Sequence, residues 1–555
     1  MNELSPFDVF TPEDFNDEHH MIADLTRKFV MNEVLPVLDK IENQEFGQTV
    51  LLLKKAGKLG LISADIPEVN GGLELGKVSS TIISEIMAIG RSFSITFGGQ
   101  TGIGALPIAY FGSNEQKRKY LPDILTGESI TAYALTEPLS GTDALSARST
   151  AVLSECGKFY ILNGEKQWIT NSAFADLFIV YAKVDGDKFT AFIVEKGYKG
   201  VSTGPEEKKM GLNGSSTRSL ILNDVKVPVE NVIGDIGSGH VIAFNVLNIG
   251  RHKIAAASLG IAKRAIELAV KYANQRIQFG QPISSFHLIK NKIADMAIRT
   301  YANESAVYRT AGAMQEGFDE WKQVGRDFEK MISRFAVECS INKVMSTEIL
   351  DFVVDEALQI HGGYGYMAEY EIETLYRDSR VNRIFEGTNE INRILIASAI
   401  LKNYEGPKEK ENGKDGLLQR EKRALQFLKN LYHTAIRSVQ KNGLGDLNKE
   451  QEIAKFIADL VIGIYTIESV ILRTEKAIIV SGEERNRLKI DYTKAFSYET
   501  SQQIAVSALN ILNHLGDVGL LSRLAENLIT KCQDNLVELK RRIADMTIKA
   551  EKYIS

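Results

Sequence analysis

The run Phe159-Tyr160-Ile161-Leu162-Asn163-Gly164 combines four strand-forming residues with an Asn-Gly pair, which is typical of a β-strand that ends at a tight turn. Two similar runs follow at residues 177–181 and 189–194, and Asp185-Gly186 separates them. Repeated short strands with such turn signals favour an antiparallel sheet. We therefore predict a barrel-like antiparallel β domain over residues 130–236.

Long helical patterns lie on both sides of this β domain. Apolar residues recur at helical spacing within 18–38, 49–59, 78–89, 241–275, 289–315, 328–358, 371–380 and 520–547. A stretch rich in glycine, proline and charge interrupts them at 404–416. The predicted class is α+β, with an N-terminal α-helical domain (1–129), the β domain (130–236), an α-helical bundle (237–403), a linker (404–416) and an additional all-helical C-terminal domain (417–555).

The composition excludes several classes of function. With 44% hydrophobic and 25% charged residues and a net charge of −5, the chain lacks the basic field that nucleic-acid binding needs. Its three cysteines have no metal-ligand spacing, so no metal is expected. The acidic N-terminus has no signal-peptide pattern, and charges interrupt the apolar stretch 456–480. We expect a cytoplasmic, bacterial protein; the amphipathic C-terminal helices leave open a peripheral contact with the inner membrane.

Small residues crowd together over residues 98–107, which include Gly98, Gly99, Gly102 and Gly104. Neither a P-loop nor a dinucleotide-binding glycine motif is present there. The stretch therefore predicts close helix packing or the lining of a pocket rather than a nucleotide site.

Glu386 is a candidate general base. It stands between Phe385 and Gly387, just before Thr388, a residue type that caps the N-terminus of a helix. Partial desolvation beside Ile384 and Phe385 would raise the pKa of a carboxyl group toward the range of a general base. From these residues alone, an ordinary loop acid beside a helix cap is the favoured interpretation.

Two further segments have the chemistry of a cofactor site. Residues 133–143 combine hydroxyl groups, a proline turn and Gly141, so their N–H and O–H groups can face a polar ring or a pyrophosphate. Trp168 and Thr170 lie two residues apart and would share one face of a strand, where an indole can pack on a planar ring. Turn formation alone would also explain the first segment.

Taken in order, these segments resemble the acyl-CoA dehydrogenase family. The resemblance rests on residues 133–143, 168–170, 248–251, 274–280, 359–366, 376–378 and 383–393. The extra C-terminal domain makes the chain most similar to the very-long-chain branch of that family. The helices–sheet–helices order is also the fold that the resemblance implies.

The resemblance implies an FAD cofactor and assigns residues to it. Those that would line the flavin are Tyr133, Leu135, Thr136, Gly141, Thr142, Trp168, Ile169 and Thr170. Those that would reach the cofactor of a homodimer partner are Arg276, Phe279, Gln359, Gly362 and Gly363, and Thr388 and Glu390 also match cofactor-contacting positions. Considered without the resemblance, Arg276 is a solvated charge at a helix end.

The resemblance further implies that Glu386 is the catalytic base of an acyl-CoA α,β-dehydrogenation. Substrate contacts would come from Thr142, Asn248, Arg251, Phe385 and Gly387. The expected product is a long-chain trans-2-enoyl-CoA of fatty-acid β-oxidation, and the electrons are expected to pass to an electron-transfer flavoprotein. Two alternatives remain open: an acyl-CoA oxidase that uses oxygen, and a non-catalytic assembly factor with the same fold.

Overall fold

The computed structural model describes residues 4–324, 328–404, 406, 418–444, 446–516 and 535–555. Within it the chain forms two compact units. We call residues 16–260 with 314–336 the sheet unit, and residues 1–15 with 261–313 and 337–555 the helical unit. Most of the predicted linker, and the first part of the helix predicted at 520–547, lie outside the described residues.

The sheet unit begins with helices and continues into strands. The helices are α1 (Asp17–Phe29), α2 (Leu38–Glu42), α3 (Phe46–Lys58), α4 (Gly76–Met87), α5 (Ser92–Gly99), α6 (Leu106–Phe111) and α7 (Asn114–Thr126). The strands are β1 (Thr131–Ala134), β2 (Thr150–Leu153), β3 (Phe159–Thr170), β4 (Leu177–Val184), β5 (Lys188–Glu195), β6 (Val201–Thr203), β7 (Thr217–Pro228) and β8 (Val232–Ile233). This agrees with the predicted order of helices followed by a sheet.

The strands form one sheet in the order β6-β7-β3-β2-β4-β5-β8, and β1 pairs with β4. Most pairs are antiparallel, as predicted, but β1 and β2 both run parallel to β4. The antiparallel prediction is wrong at these two pairs because neither β1 nor β2 reaches β4 through a hairpin turn; β3 lies between them in the sequence. Buried aliphatic and aromatic side chains of alternating strand positions form the core of the sheet.

Two of the turn signals in the β domain have different outcomes. Asp185-Gly186 is the predicted hairpin turn between β4 and β5, and both residues have positive φ. Asn163-Gly164 is not a turn: β3 continues through it to Thr170, and the register with β7 shifts between Leu162 and Gly164. A Cβ on Gly164 would lie 2.2 Å from the Ser149 hydroxyl, so the glycine permits a bulge against a close neighbour.

Two of the glycines at 98–107, Gly99 and Gly104, serve close packing, which is one of the two predicted alternatives, whereas a Cβ on Gly98 would meet no atom within 4 Å. A Cβ on Gly104 would lie 2.0 Å from the Thr131 hydroxyl, and one on Gly99 would lie 3.1 Å from the Asn171 amide. A π-helical turn over Gln100–Gly104 joins α5 to the residues before α6. The small residues therefore let this helical segment approach the sheet within the sheet unit.

From Gly239 onward the described chain is helical except for one short hairpin. The helices are α8 (Gly239–Gln275), α9 (His287–Val324), α10 (Phe328–Ser333), α11 (Ala336–His361), α12 (Glu371–Ser379), α13 (Asn389–Lys402), α14 (Gln419–Lys441), α15 (Gln451–Ser481), α16 (Arg487–His514) and α17 (Leu536–Ala550). The hairpin consists of β9 (Ile277–Gln278) and β10 (Gln281–Pro282).

The helical unit has a continuous apolar core. Buried side chains from residue 262 to residue 553 belong to one cluster, which includes α13 and α15. The apolar stretch 456–480 lies in α15, whose apolar residues are largely buried as predicted. The architecture confirms the predicted α+β class with helices on both sides of a central sheet in the sequence.

No helix among the described residues combines the length and the apolar character needed to cross a bilayer.

Candidate active site

In the sheet unit, the loop after β1 and the end of β3 are joined by the backbone. The Gln167 N–H donates to the Thr136 carbonyl at 2.8 Å, and Glu137 and Ser140 exchange two backbone hydrogen bonds at 2.9 and 3.1 Å. These contacts fix the loop that carries Thr136 beside the segment that carries Trp168. Two segments predicted from separate parts of the sequence are therefore neighbours.

A buried ion pair reinforces this junction. The Lys166 ammonium lies 2.7 Å from the Glu137 carboxylate, and their side chains are 0% and 5% exposed. Glu137 also accepts from the N–H groups of Arg148 and Ser149, at 2.6 and 3.1 Å. Burial alone would raise the pKa of Glu137, but the Lys166 charge and these hydrogen bonds hold it below its usual value.

Trp168 occupies an irregular position in β3. The pairing with β7 shifts register between Lys166 and Ile169, and Trp168 has φ of 59°. Its side chain is 59% exposed, whereas Ile169 is buried in the core of the sheet and Thr170 is half-buried. A bulky residue in the left-handed region is strained, so this bulge presents an indole on the surface at a cost in backbone energy.

Two predicted substrate residues lie on α8. Asn248 and Arg251 are both buried, and the Arg251 guanidinium donates to the Asn248 side-chain oxygen at 2.8 Å. Beside them, His252 shares a hydrogen bond of 2.9 Å with Thr81. Burial lowers the pKa of His252 to about 4, so it is neutral at pH 7.

In the helical unit, Glu386 lies on a tight turn before α13. Glu386 and Gly387 have φ of 55° and 81°, two consecutive left-handed residues. The Thr388 hydroxyl accepts from the Ile391 N–H at 3.3 Å, so the predicted N-cap is present. Glu386 is half-buried, while Ile384 is 51% exposed and gives less shielding than the sequence predicted.

Sequence reasoning did not single out the groups that hold this turn. Lys343, which is fully buried on α11, donates to the Gly387 carbonyl at 2.8 Å and to the Asn389 side-chain oxygen at 2.7 Å. The Asn392 amide donates to the same carbonyl at 2.8 Å. A lysine in a long helix carries no motif that would mark such a contact, because the contact depends on how α11 and α13 pack.

A third group of predicted residues surrounds a cavity of about 540 Å³ in the helical unit. Arg276, Gly362 and Gly363 line it together with Tyr272, His361 and Tyr364. The Arg276 guanidinium lies 5.4 Å from the centre of the Tyr364 ring, and Tyr272 stacks on His361 at 4.4 Å. The cavity thus combines a cation with flat aromatic surfaces, which suits an anion attached to a planar group.

The other two predicted members of this group, Gln359 and Phe279, are not among the residues that line the cavity. Gln359 is an exposed residue of α11, three positions before Gly362. Phe279 is 93% exposed at the tip of the β9–β10 hairpin, where it has φ of 52° and precedes Gly280 with φ of 78°. This turn position favours asparagine or glycine, so local stability does not explain the presence of an aromatic residue.

Three of the predicted cofactor-binding glycines do not contact other protein segments closely. A Cβ on Gly141, Gly362 or Gly363 would meet no protein atom within 4 Å. The backbone conformation of Gly362, with φ of 59°, itself favours glycine. Close packing does not explain why Gly141 and Gly363 are glycines. In the sheet unit, the exposed Trp168 indole beside the predicted flavin-lining loop suits a flat ring. In the helical unit, the Arg276 guanidinium beside Gly362 and Gly363 suits a phosphate group.

Comparison with known proteins matches this arrangement of segments. Models of the acyl-CoA dehydrogenase N-terminal, middle and C-terminal domains match residues 16–128, 132–225 and 237–401, and a further acyl-CoA dehydrogenase C-terminal model matches 431–519. A probable acyl-CoA dehydrogenase of Bacillus subtilis (strain 168) is 50% identical over 570 residues, covering 98% of this chain and 96% of its own. The chain belongs to the acyl-CoA dehydrogenase family. The family consists of FAD-dependent oxidoreductases that act on acyl-CoA.

Two further members of the family are informative. The crystal structure of an acyl-CoA dehydrogenase from Bacillus anthracis, complexed with FAD, has a TM-score of 0.96 and 51% identity and covers 100% of this chain and 98% of its own. The mitochondrial very long-chain specific acyl-CoA dehydrogenase of Macaca fascicularis is 41% identical over 355 residues, which is 62% of this chain and 52% of that protein. The predicted family and the similarity to its very-long-chain branch are confirmed.

Proposed function

We propose that this chain is an FAD-dependent acyl-CoA dehydrogenase in which Glu386 is the catalytic base. The observation that supports this most directly is the half-buried Glu386 carboxylate on a turn with two left-handed residues, capped by Thr388. Strained backbone of this kind is retained where the position of one side chain matters. The product is the trans-2-enoyl-CoA.

The residues divide the chemistry between them. Glu386 takes the proton from Cα of the acyl thioester, and the bond electrons form the Cα=Cβ double bond as hydride leaves Cβ. FAD, when bound, supplies the hydride acceptor. Arg251, Asn248, Phe385, Gly387 and Thr142 bind and orient the substrate so that the Cα proton meets the carboxylate.

Cofactor binding uses the segments already described. Tyr133, Leu135, Thr136, Gly141, Thr142, Trp168, Ile169 and Thr170 hold FAD, and Thr388 and Glu390 add contacts at the start of α13. Since Ile169 is buried in the sheet core, its contribution comes from the backbone. The Lys166–Glu137 pair supports FAD binding because it reinforces the contact between the two segments of this set.

The same proposal includes a homodimer. Arg276, Phe279, Gln359, Gly362 and Gly363 reach the cofactor of the partner subunit. Apolar side chains near the cavity support this: Ile277, Tyr366 and Met367 are 51%, 82% and 47% exposed, which is a large apolar area to leave in water. Sedimentation equilibrium tests it. A monomer that retains stoichiometric FAD would contradict the dimer.

The electron acceptor and the substrate length belong to the proposal as well. We infer a long-chain acyl-CoA, since a very-long-chain enzyme is among the relatives, and an electron-transfer flavoprotein as acceptor. Steady-state assays over saturated acyl-CoAs of increasing length, with an artificial acceptor, test the first. A kcat/KM maximum at short chains would contradict it.

An oxygen pulse distinguishes the proposed dehydrogenase from the oxidase alternative. The enzyme is reduced anaerobically with palmitoyl-CoA and then mixed with oxygen. Slow flavin reoxidation without peroxide is expected, while fast reoxidation with stoichiometric peroxide would identify an oxidase. No flavin reduction with any acyl-CoA would favour the non-catalytic assembly factor.

We further propose a cytoplasmic bacterial enzyme whose C-terminal helices make a peripheral contact with the inner membrane. The hydrophobic and polar faces of α17 support the contact, with Val537 and Met546 58% and 46% exposed. Co-sedimentation with anionic phospholipid vesicles at low and high salt tests it. Equal recovery in the supernatant with and without vesicles would contradict it.

A further inference from the structure

Lys343 lies behind the turn that carries Glu386 and is fully buried. Its ammonium donates to the Gly387 carbonyl and to the Asn389 side-chain oxygen, at 2.8 and 2.7 Å. Both acceptors belong to the three residues that follow Glu386 in the sequence. A buried cation is thus attached to the backbone immediately after the proposed base.

These hydrogen bonds hold the peptide group between Gly387 and Thr388, whose orientation determines how the chain leaves the turn. The Gly387 carbonyl accepts from two side chains, Lys343 and Asn392, and the Asn392 amide also reaches the Thr388 carbonyl at 3.0 Å. Rotation of that peptide would break both bonds to Gly387. Because Glu386 and Gly387 have left-handed conformations, the surroundings must hold them there.

The far side of Lys343 is also fixed. The Asn389 side-chain amide donates to the Thr347 hydroxyl and to Glu348, both at 3.1 Å, and Arg393 binds Glu348 through two hydrogen bonds of 2.6 and 2.9 Å. The start of α13 is therefore attached to α11 through a set of polar side chains. Burial of an ammonium group has a large desolvation free energy. Lys343 is therefore a poor choice for a residue that only fills space in the core.

We propose that Lys343 is a positioning residue that sets the orientation of the Glu386 carboxylate through the Gly387 carbonyl. This rests on the proposed role of Glu386 as the base. A base must lie within hydrogen-bond reach of the proton that it removes, and a displacement of about 1 Å costs about 100-fold in rate. Lys343 acts through Glu386 and does not itself touch the substrate.

The test replaces Lys343 with methionine in the FAD-loaded enzyme and measures flavin reduction by palmitoyl-CoA in a stopped-flow instrument. The rate constant at saturating substrate is expected to fall about 10- to 100-fold, with KM changed by less than about threefold. The primary isotope effect with α-deuterated palmitoyl-CoA is expected to increase, because proton removal becomes more rate-limiting. A change in folding alone would not alter that isotope effect.

Lys476→Met is the matched control. Lys476 is also a buried lysine of the helical unit, and it donates to the Val9 carbonyl and to Asp14 at 2.8 and 2.6 Å. It thus resembles Lys343 in chemistry but holds an N-terminal segment instead of the Glu386 turn. Its reduction rate constant and isotope effect are expected to match the parent, and an equal loss in both variants would overturn the proposal.

Glu386→Gln separates this proposal from the proposed function. If Glu386→Gln is inactive but Lys343→Met reduces flavin at the parent rate, only the positioning role fails. If Glu386→Gln is as fast as the parent, the assignment of the base fails, and the positioning role with it. Adding Lys343→Met to Glu386→Gln is expected to cause no further loss of rate, and an additive loss would show that Lys343 acts elsewhere.

If the Lys343→Met variant does not fold, Lys343→Gln is measured in its place. It supplies a neutral, shorter donor, so an intermediate rate constant and an intermediate isotope effect are expected. Parent values for both would overturn the proposal.

Discussion

Trp168, Phe279 and Glu386 share a backbone conformation that their residue types disfavour. Their φ angles are 59°, 52° and 55°, and the left-handed region costs an ordinary residue about 1–2 kcal/mol. All three are among the residues that the sequence assigned to the site through the family resemblance. The assignment was possible from the sequence because it used motif residues, but their strain was not, because no local sequence signal predicts a positive φ for tryptophan, phenylalanine or glutamate.

Phe279 allows a test of whether a strained backbone lowers stability while it supports cofactor binding. Asparagine before Gly280 suits the hairpin turn, so Phe279→Asn is expected to stabilise the protein by about 1 kcal/mol. The same change is expected to weaken FAD retention, since Phe279 is proposed to contact the partner's cofactor. Thermal unfolding of the apoprotein and FAD release on dilution measure the two effects. Unchanged FAD release would contradict the proposed contact.

His252 gives a prediction for pH. Its folded pKa of about 4 lies below the ordinary 6.5, so the unfolded chain binds the proton first as the pH falls. Stability is therefore complete above pH 6.5 and decreases toward pH 4, by up to about 3 kcal/mol from this group. His252→Gln is expected to flatten the decrease in melting temperature between pH 7 and pH 5. His20, an exposed histidine of α1, is the control; an equal flattening in His20→Gln would contradict the account.

At the level of elements, β3 and the loop after β1 depend on one buried ion pair. Lys166→Met would leave the Glu137 carboxylate buried without its cation, which is expected to destabilise the sheet unit by about 3–5 kcal/mol and to release FAD. Glu137→Gln in the same chain removes the unpaired charge, so the double variant is expected to recover much of the lost stability. Melting temperature and the flavin-to-protein ratio measure both effects. A double variant less stable than Lys166→Met would contradict the pair's role.

The elements also indicate what sequence patterns can predict. Most of the predicted helices and the Thr388 cap follow from local periodicity and residue type and are present, but the helix predicted at 328–358 is divided into α10 and α11. The turn predicted at Asn163-Gly164 was wrong because the same dipeptide can form a turn or a bulge. The close approach of Ser149, which favours the bulge, is not visible in the sequence. Lys343, Lys166 and Tyr272 have roles that depend on contacts between distant segments, which a single sequence does not specify.

At the scale of the whole molecule, charges as well as apolar side chains join the C-terminal helices to the rest of the helical unit. Arg473 on α15 is 1% exposed and pairs with Glu304 on α9 at 2.7 Å and with Glu13 at 2.9 Å. The carboxyl group of Glu304 is buried, which alone would raise its pKa, but Lys263 and Arg473 hold that pKa well below its usual value. The predicted C-terminal domain thus shares a buried charge network with residues of α9.

Arg473→Met is expected to lower stability by about 3–5 kcal/mol, because Glu304 loses a buried partner. Differential scanning calorimetry measures the loss. Arg437→Met, a matched change of an exposed arginine on α14, is expected to have an effect within about 0.5 kcal/mol. Equal melting temperatures for the two variants would contradict the role of the network.

The central claim is that Glu386 removes the Cα proton. The most direct measurement compares the FAD-loaded parent with Glu386→Gln under anaerobic mixing with palmitoyl-CoA, following the loss of flavin absorbance. The amide is nearly isosteric but cannot accept the proton, so flavin content is expected to be unchanged and the reduction rate constant to fall by more than about 1000-fold. Flavin reduction at the parent rate in Glu386→Gln would contradict the claim.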